Sequence, residues 1–375
     1  MKSTLNVLLL LVFIAGLSSC DKTPDDIIKN DRGWVYSPEA YTVQMPRNLP
    51  SAAFPTARNP LTVQGIKLGR MLFYDPILSG DSTLACGGCH KQENAFSDPR
   101  VFSVGIDGLN GKRHSMPLFN LVYGSKFFWD GRAATLAEQA LMPVEDPLEM
   151  HAQWATNILK LQGHTNYPKL FYEAFGVEPE DITKEHAGRA LEQFMLTLVS
   201  GQSKFDKAVT GFEELTDAEQ RGFALFNDAN GADCFHCHGD GGGNQVFQEL
   251  NPLFQFRNNG LDDIQNAADF VDKGFGSTTG KPADNGKFKV PSLRNLAFTA
   301  PYMHDGRFAT LEEVVNFYSE GVHPLSANID HAGMQFAADG GVQLTAQEKS
   351  DLIAFLRTLS DDEFITNPAF SDPFK

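Results

Sequence analysis

Cys86-Gly87-Gly88-Cys89-His90 and Cys234-Phe235-His236-Cys237-His238 decide how this chain is read. Both are C-x-x-C-H. Two thiols at this spacing can form thioethers with the two vinyl groups of one porphyrin. The histidine that follows then reaches the iron from the proximal side. Neutral imidazole is a good ligand for iron, so histidine suits the position. A zinc site would have to unite pairs about 150 residues apart, and would leave the histidine after each pair to coincidence. A thioredoxin-like redox pair accounts for one C-x-x-C, but not naturally for two that are each followed by His. A disulfide would suit an exported chain, yet across two residues it closes a very small loop. The motifs therefore predict two covalent haem c groups. One is held by Cys86, Cys89 and His90, the other by Cys234, Cys237 and His238.

The remaining cysteine, Cys20, makes the count five, which already excludes a fully paired disulfide framework. Residues 1–19 read as a signal peptide. Lys2 supplies the positive charge, Leu5–Gly16 is mostly apolar, and Leu17-Ser18-Ser19 closes the segment with small residues. Leu-Ser-Ser-Cys resembles the lipobox of bacterial lipoproteins, in which the cysteine becomes the N-terminus and carries lipid. The expectation is an exported chain on the periplasmic side, anchored to a membrane through Cys20 rather than spanning it. Residues 20–50 are polar with scattered prolines and read as a tether and N-terminal extension. The 375 residues carry 31 basic and 47 acidic side chains, a net charge of −16. That balance argues against nucleic acid and against a basic surface for anionic lipid.

The chain repeats itself. After the first motif come Ser115-Met116-Pro117-Leu118-Phe119-Asn120-Leu121, then Trp129-Asp130-Gly131-Arg132 and Thr135-Leu136. After the second come Val290-Pro291-Ser292-Leu293-Arg294-Asn295-Leu296, then His304-Asp305-Gly306-Arg307 and Thr310-Leu311. The first histidine lies 42 residues before its Asp-Gly-Arg and the second 69 before, so the second copy carries about 27 extra residues, assigned to Asn258–Lys287. Thr135/Glu138 and Thr310/Glu313 fit capping boxes at helix starts. Thr183–Val199, Thr216–Phe226 and Thr345–Leu359 carry helical apolar spacing, and no sustained strand alternation appears. The fold class is mainly α. The domain boundary is expected near Ser200–Thr216, dividing an N-terminal domain, 51–205, from a C-terminal domain, 206–375.

With these motifs, and with Phe127–Arg132 and Pro301–Glu313, residues 50–360 resemble the bacterial dihaem cytochrome c peroxidases. The resemblance implies two tandem cytochrome c-like domains, each with one haem. It implies reduction of hydrogen peroxide to water with electrons from a small electron-transfer protein such as cytochrome c. Trp129 matches the tryptophan between the haems. Gln139, Pro143 and Glu149 match the distal side of the first, peroxide-reacting haem, with Glu149 moving the peroxide proton. The carbonyls of Thr299 and Pro301 match two ligands of a calcium ion, and the family's asparagine ligand is replaced here by His114, a poor partner for a hard cation.

Two positions depart from the commonest pattern. The distal histidine of the first haem is replaced by Ile106, which cannot ligate iron and leaves that haem open to peroxide. Aligning Arg132 with Arg307 sets an offset of 175 residues, which pairs Pro143 with Tyr318. The typical peroxidases have methionine at the second position. Tyrosine is the pattern of the MauG-type oxidases, which oxidise a partner protein. Tyr318 is accordingly the expected distal ligand of haem 2, with Met303, Met334 or His323 as alternatives. A MauG-type oxidase and a membrane-tethered dihaem electron carrier stand as the competing functions. A homodimer is left open.

Overall fold

The computed structural model describes residues 28–55, 57–239 and 256–375. The expected signal segment and Cys20 lie outside them. The chain is mainly helical: α1 (Val63–Tyr74), α2 (Cys86–Cys89), α3 (Leu136–Glu145), α4 (Trp154–Gly163), α5 (Tyr167–Phe175), α6 (Lys184–Met195) and α7 (Lys204–Val209), then α8 (Asp217–Asn227), α9 (Phe235–His238), α10 (Phe275–Thr279), α11 (Leu311–Glu320), α12 (Ala346–Arg357) and α13 (Asp362–Thr366). The strands are two-residue pairs: β1 (Ile28–Lys29) with β2 (Val35–Tyr36), and β3 (Phe256–Arg257) with β4 (Phe288–Lys289). Among the described residues no helix is long and apolar enough to cross a membrane.

Each half is built on one crossing of two helices. In the first half α1 buries Gly65, Leu68, Gly69, Leu72 and Phe73 against α6, which buries Ala187, Ala190, Leu191 and Phe194. The backbones meet at Gly69, where a Cβ would lie 1.8 Å from the Ala190 carbonyl oxygen. In the second half α8 crosses α12 in the same way, and a Cβ on Gly222 would lie 2.0 Å from the Asp351 carbonyl oxygen. Only a residue without a side chain permits either approach. Around these crossings sit two aromatic cores, one with Phe73, Phe96, Phe171 and Phe194, the other with Phe226 and Phe355.

The repeat seen in the sequence is also a repeat in backbone conformation. Thr135 and Thr310 cap α3 and α11 with the same φ −130° and ψ 157°, and both capping boxes form. Asn120 and Asn295 both take positive φ, 53° and 60°. The two halves meet through these asparagines: Asn120 Nδ2 donates to the Ser200 carbonyl at 2.9 Å, and Asn295 Nδ2 to Ser200 Oγ at 3.0 Å. Ser200 Oγ in turn donates to Asp361, which also accepts from the Gly201 and Gln202 amides.

Three stretches are more ordered than their composition suggests. Residues 28–50, expected as a tether, are docked on the body. Trp34 and Tyr36 pack on Tyr172 at ring distances of 6.0 and 6.4 Å, and Tyr123 Oη donates to the Pro50 carbonyl at 2.6 Å. Polar, proline-bearing chain reads as a linker until its long-range partners are known. The Asn258–Lys287 insertion is closed at its base by β3 and β4 and carries α10. The boundary near Ser200–Thr216 contains α7 and a buried ion pair. Arg294 and Asp206, 1% and 3% exposed, are joined by two hydrogen bonds of 2.6 and 2.8 Å.

Burial alone would raise Asp206. The bonds and charge of Arg294, with help from Ser203, outweigh it and hold the carboxyl below the ordinary range. The stability this pair contributes is present above the unfolded carboxylate's pKa and is lost as pH falls through the lower folded value. Arg294→Ala leaves a buried carboxylate unpaired. It is expected to destabilise the protein by about 3–5 kcal/mol, read by chemical denaturation near neutral pH.

Candidate functional site

The first C-x-x-C-H folds as a single helical turn, with the His90 amide donating to the Cys86 carbonyl at 2.9 Å. His90 Nδ1 lies 2.7 Å from the Phe96 carbonyl oxygen. Nδ1 therefore carries the proton, which leaves Nε2 as the nitrogen able to ligate a metal. In the second motif His238 Nδ1 lies 3.2 Å from the Pro291 carbonyl oxygen, the same arrangement. Burial lowers both imidazoles, His238 to about 4, so both are neutral at physiological pH. The four cysteines are free thiols. Burial pushes Cys86 and Cys234 up to about 12 and Cys237 to about 11. Exchange-active C-x-x-C pairs need the opposite shift. A thiol pair presented beside a neutral, backbone-oriented histidine fits covalent haem, and the same set of groups stands twice.

Beside the first motif, the chain leaving α3 turns back on itself. The Met150 amide donates to the Pro143 carbonyl at 3.2 Å, and the Ile106 amide to the Glu149 carbonyl at 2.9 Å. Pro143 lies inside α3 and offers no N–H to the carbonyl of Gln139 one turn earlier. The structure thus brings Pro143, Glu149 and Ile106 into one loop cluster, with Gln139 on the helix that leads into it. Glu149 is half-buried. Burial, reinforced by Asp146 and opposed by Arg132, pushes its carboxyl up to about 7. The Glu149 charge also raises the Cys86 and Cys89 thiols, so the carboxyl lies near the first motif.

Beside the second motif stands Tyr318, at the place in α11 that Pro143 holds in α3. Burial raises its phenol, and the Cys237 and Cys234 charges add to the effect, so the ring is close to both thiols. The Asn259 amide donates to Tyr318 Oη at 2.9 Å and lies 3.9 Å from Met303 Sδ. The expected ligand Tyr318 and its rival Met303 therefore flank one carboxamide. Asn259 was not legible as a site residue: it lies in the insertion, where no local pattern marks it.

Trp129 occupies the seam between the halves. It is 7% exposed, its indole Nε1 donates to the His114 carbonyl at 2.8 Å, and its own carbonyl accepts from the Lys289 amide at 2.8 Å. The His114 amide donates to the carbonyl of His304, the residue that Trp129 pairs with in the repeat. His304 stacks on Phe288 with ring centroids 3.6 Å apart. Thr299 is buried next to His114.

Two cysteine-histidine motifs on a duplicated helix crossing define a class of two-haem c-type oxidoreductases, and comparison with known proteins agrees. A family model for di-haem cytochrome c peroxidase matches residues 63–214. The methylamine utilization protein MauG of Methylophilus methylotrophus is 34% identical over 303 residues, covering 80% of this chain and 84% of that protein. Cytochrome-c peroxidase IdrP1 of a Pseudomonas species is 33% identical over 325 residues, covering 81% and 83%. The crystal structure of a MauG-like protein associated with microbial copper homeostasis superposes with a TM-score of 0.80 at 37% identity, over 90% of this chain and all of that one. The chain belongs to the di-haem cytochrome c peroxidase family, whose members include both peroxidases and MauG proteins. Family membership brings haem c as cofactor.

Proposed function

We propose that this protein is a dihaem peroxidase that reduces hydrogen peroxide to water at the Cys86–His90 site, with electrons entering from a small electron-transfer protein at the Cys234–His238 site. The observation that carries the reading is Glu149, a half-buried carboxyl near the first cysteine pair whose burial pushes its pKa up to about 7. The haem supplies the electrons for O–O cleavage. Glu149 takes a proton from one peroxide oxygen and returns it to the other, so that two electrons and two further protons yield two waters. Gln139 orients the peroxide by hydrogen bonding. Pro143 and Ile106 offer no donor atom that competes with it, and Trp129 couples the two sites. In this reading residues 51–205 and 206–375 are two cytochrome c-like domains, and the paired helix crossings support that division. The chain is exported, and Cys20 carries the lipid that holds it to a membrane on the periplasmic side.

The test is steady-state peroxide reduction with reduced cytochrome c as donor. No turnover, before or after prereduction, would move the assignment to a partner-oxidising enzyme or an electron carrier. A second measurement addresses Ile106. The ferric protein as isolated is expected to show one high-spin and one low-spin haem by electron paramagnetic resonance. Two low-spin signals would remove the open first site.

Tyr318 favours the second reading, a MauG-type oxidase acting on a partner protein, because an anionic oxygen ligand lowers a haem's potential relative to methionine. That works against a high-potential electron-entry role. The same peroxide chemistry serves both readings, and only the source of the electrons differs.

Calcium at the Thr299 and Pro301 carbonyls belongs to the same proposal, with His114 in place of the family's oxygen ligand. The nearby His114 ring is buried, with Nδ1 3.2 Å from the Val101 carbonyl oxygen and Nε2 3.2 Å from Ser97 Oγ. The imidazole offers nitrogen where a hard cation prefers oxygen.

A further inference from the structure

We propose that Asn259 is a positioning residue for the second haem: its carboxamide bonds Tyr318 Oη, orients that oxygen and tunes how strongly it donates to iron. The inference rests on the reading of Tyr318 as the distal ligand.

The hydrogen bond is 2.9 Å long and runs from the Asn259 amide to the phenol oxygen. The amide's direction is set by the chain on both sides of it. Asn258 is 3% exposed, and its side chain donates to Ala327 O at 2.7 Å and Ser326 Oγ at 3.1 Å while accepting from the Gly260 amide at 2.9 Å. The Gly260 carbonyl accepts from the His323 amide at 2.9 Å, and the Asn258 carbonyl from the Asp330 amide at 3.0 Å. Asn259 is thus held between two pinned neighbours, and little rotamer freedom is lost in bonding the phenol.

The same amide nitrogen lies 3.9 Å from Met303 Sδ. Thioether sulfur is a weak acceptor, so the phenol oxygen takes the stronger bond. Outer hydrogen bonds of this kind orient a metal ligand and adjust its basicity. A donor on the phenol oxygen draws electron density from it. The oxygen then stabilises ferric iron less, and the potential sits higher than an unbonded tyrosine would give.

Asn259 also accounts for a difference between the halves. It lies in the Asn258–Lys287 insertion, which the first copy lacks, and the first copy has Pro143 where Tyr318 stands. The second copy therefore holds both a ligand and the group that tunes it.

The experiment compares wild-type and Asn259→Leu holoprotein by spectroelectrochemistry and resonance Raman. The expected result is iron–phenolate bands in both, with the low-spin haem of the variant shifted to lower potential and its iron–oxygen stretch moved. Phenolate bands in both proteins with an unchanged potential would overturn the role of Asn259. Absence of phenolate bands from the wild type would overturn the Tyr318 reading, and this inference with it. Should Asn259→Leu fail to take up haem, Asn259→Asp supplies the same comparison. An acceptor then replaces the donor, and a larger negative shift is expected, with no shift counting against the proposal.

Discussion

Glu149→Gln is expected to lower kcat for peroxide reduction by about 100- to 10,000-fold, the usual contribution of a positioned acid–base group. Glutamine keeps the volume and much of the polarity of the side chain, so haem content and spectra should be unchanged. What it loses is the ability to accept a proton. The wild-type pH profile provides an independent check. Burial holds Glu149 near pH 7, and only its carboxylate form can take the proton from peroxide. The wild-type kcat/KM for peroxide, which reports the free enzyme, should therefore rise with pH and level off above about 7. The variant should lose that inflection. A Gln variant within a few-fold of wild type, with the inflection intact, would remove Glu149 from the proton-transfer role.

Tyr318→Met is the second large effect. Methionine is the ligand of high-potential c-type haems, whereas an anionic oxygen favours ferric iron. The substitution is expected to raise the potential of the low-spin haem by a sizeable part of the roughly 0.8 V over which axial ligands move haem potentials. The position is half-buried next to Cys234 and Cys237, so a methionine of similar reach can occupy it. Redox titration followed in the visible spectrum measures the change. An unchanged potential and spectrum would mean that another side chain ligates, and Met303, beside the same Asn259 amide, would become the candidate. A raised potential together with faster turnover from a high-potential donor would favour electron entry at this haem. A raised potential with loss of activity would favour the partner-oxidising reading.

The parts of this protein that were legible in the sequence are those written in adjacent residues. The spacing of two cysteines and a histidine along one helical turn is local geometry, and both motifs form that turn. The capping boxes at Thr135 and Thr310 are also local, and both form as read. The internal repeat carries this local information from one half to the other, and so pairs Pro143 with Tyr318 in the sequence alone. Several features were not legible. Residues 28–50 read as a tether because proline and polar content are visible in sequence, while Tyr172 and Tyr123, which hold them, are far away in the chain. The boundary near Ser200 was legible only as the end of a helical pattern, because its hydrogen bonds go to the distant Asn120, Asn295 and Asp361.

By itself, the sequence determined the helical class, the duplication, the two haem-binding motifs and the likeness to dihaem peroxidases. Each of these depends on which residues stand within a few positions of one another. Only the tertiary structure decided that Glu149 is buried enough to titrate near neutrality, that Trp129 is bonded across the seam to Lys289, and that Asn259 reaches Tyr318. A pKa depends on desolvation, and a long-range hydrogen bond on where packing leaves two distant groups. Neither is written in any short stretch of chain.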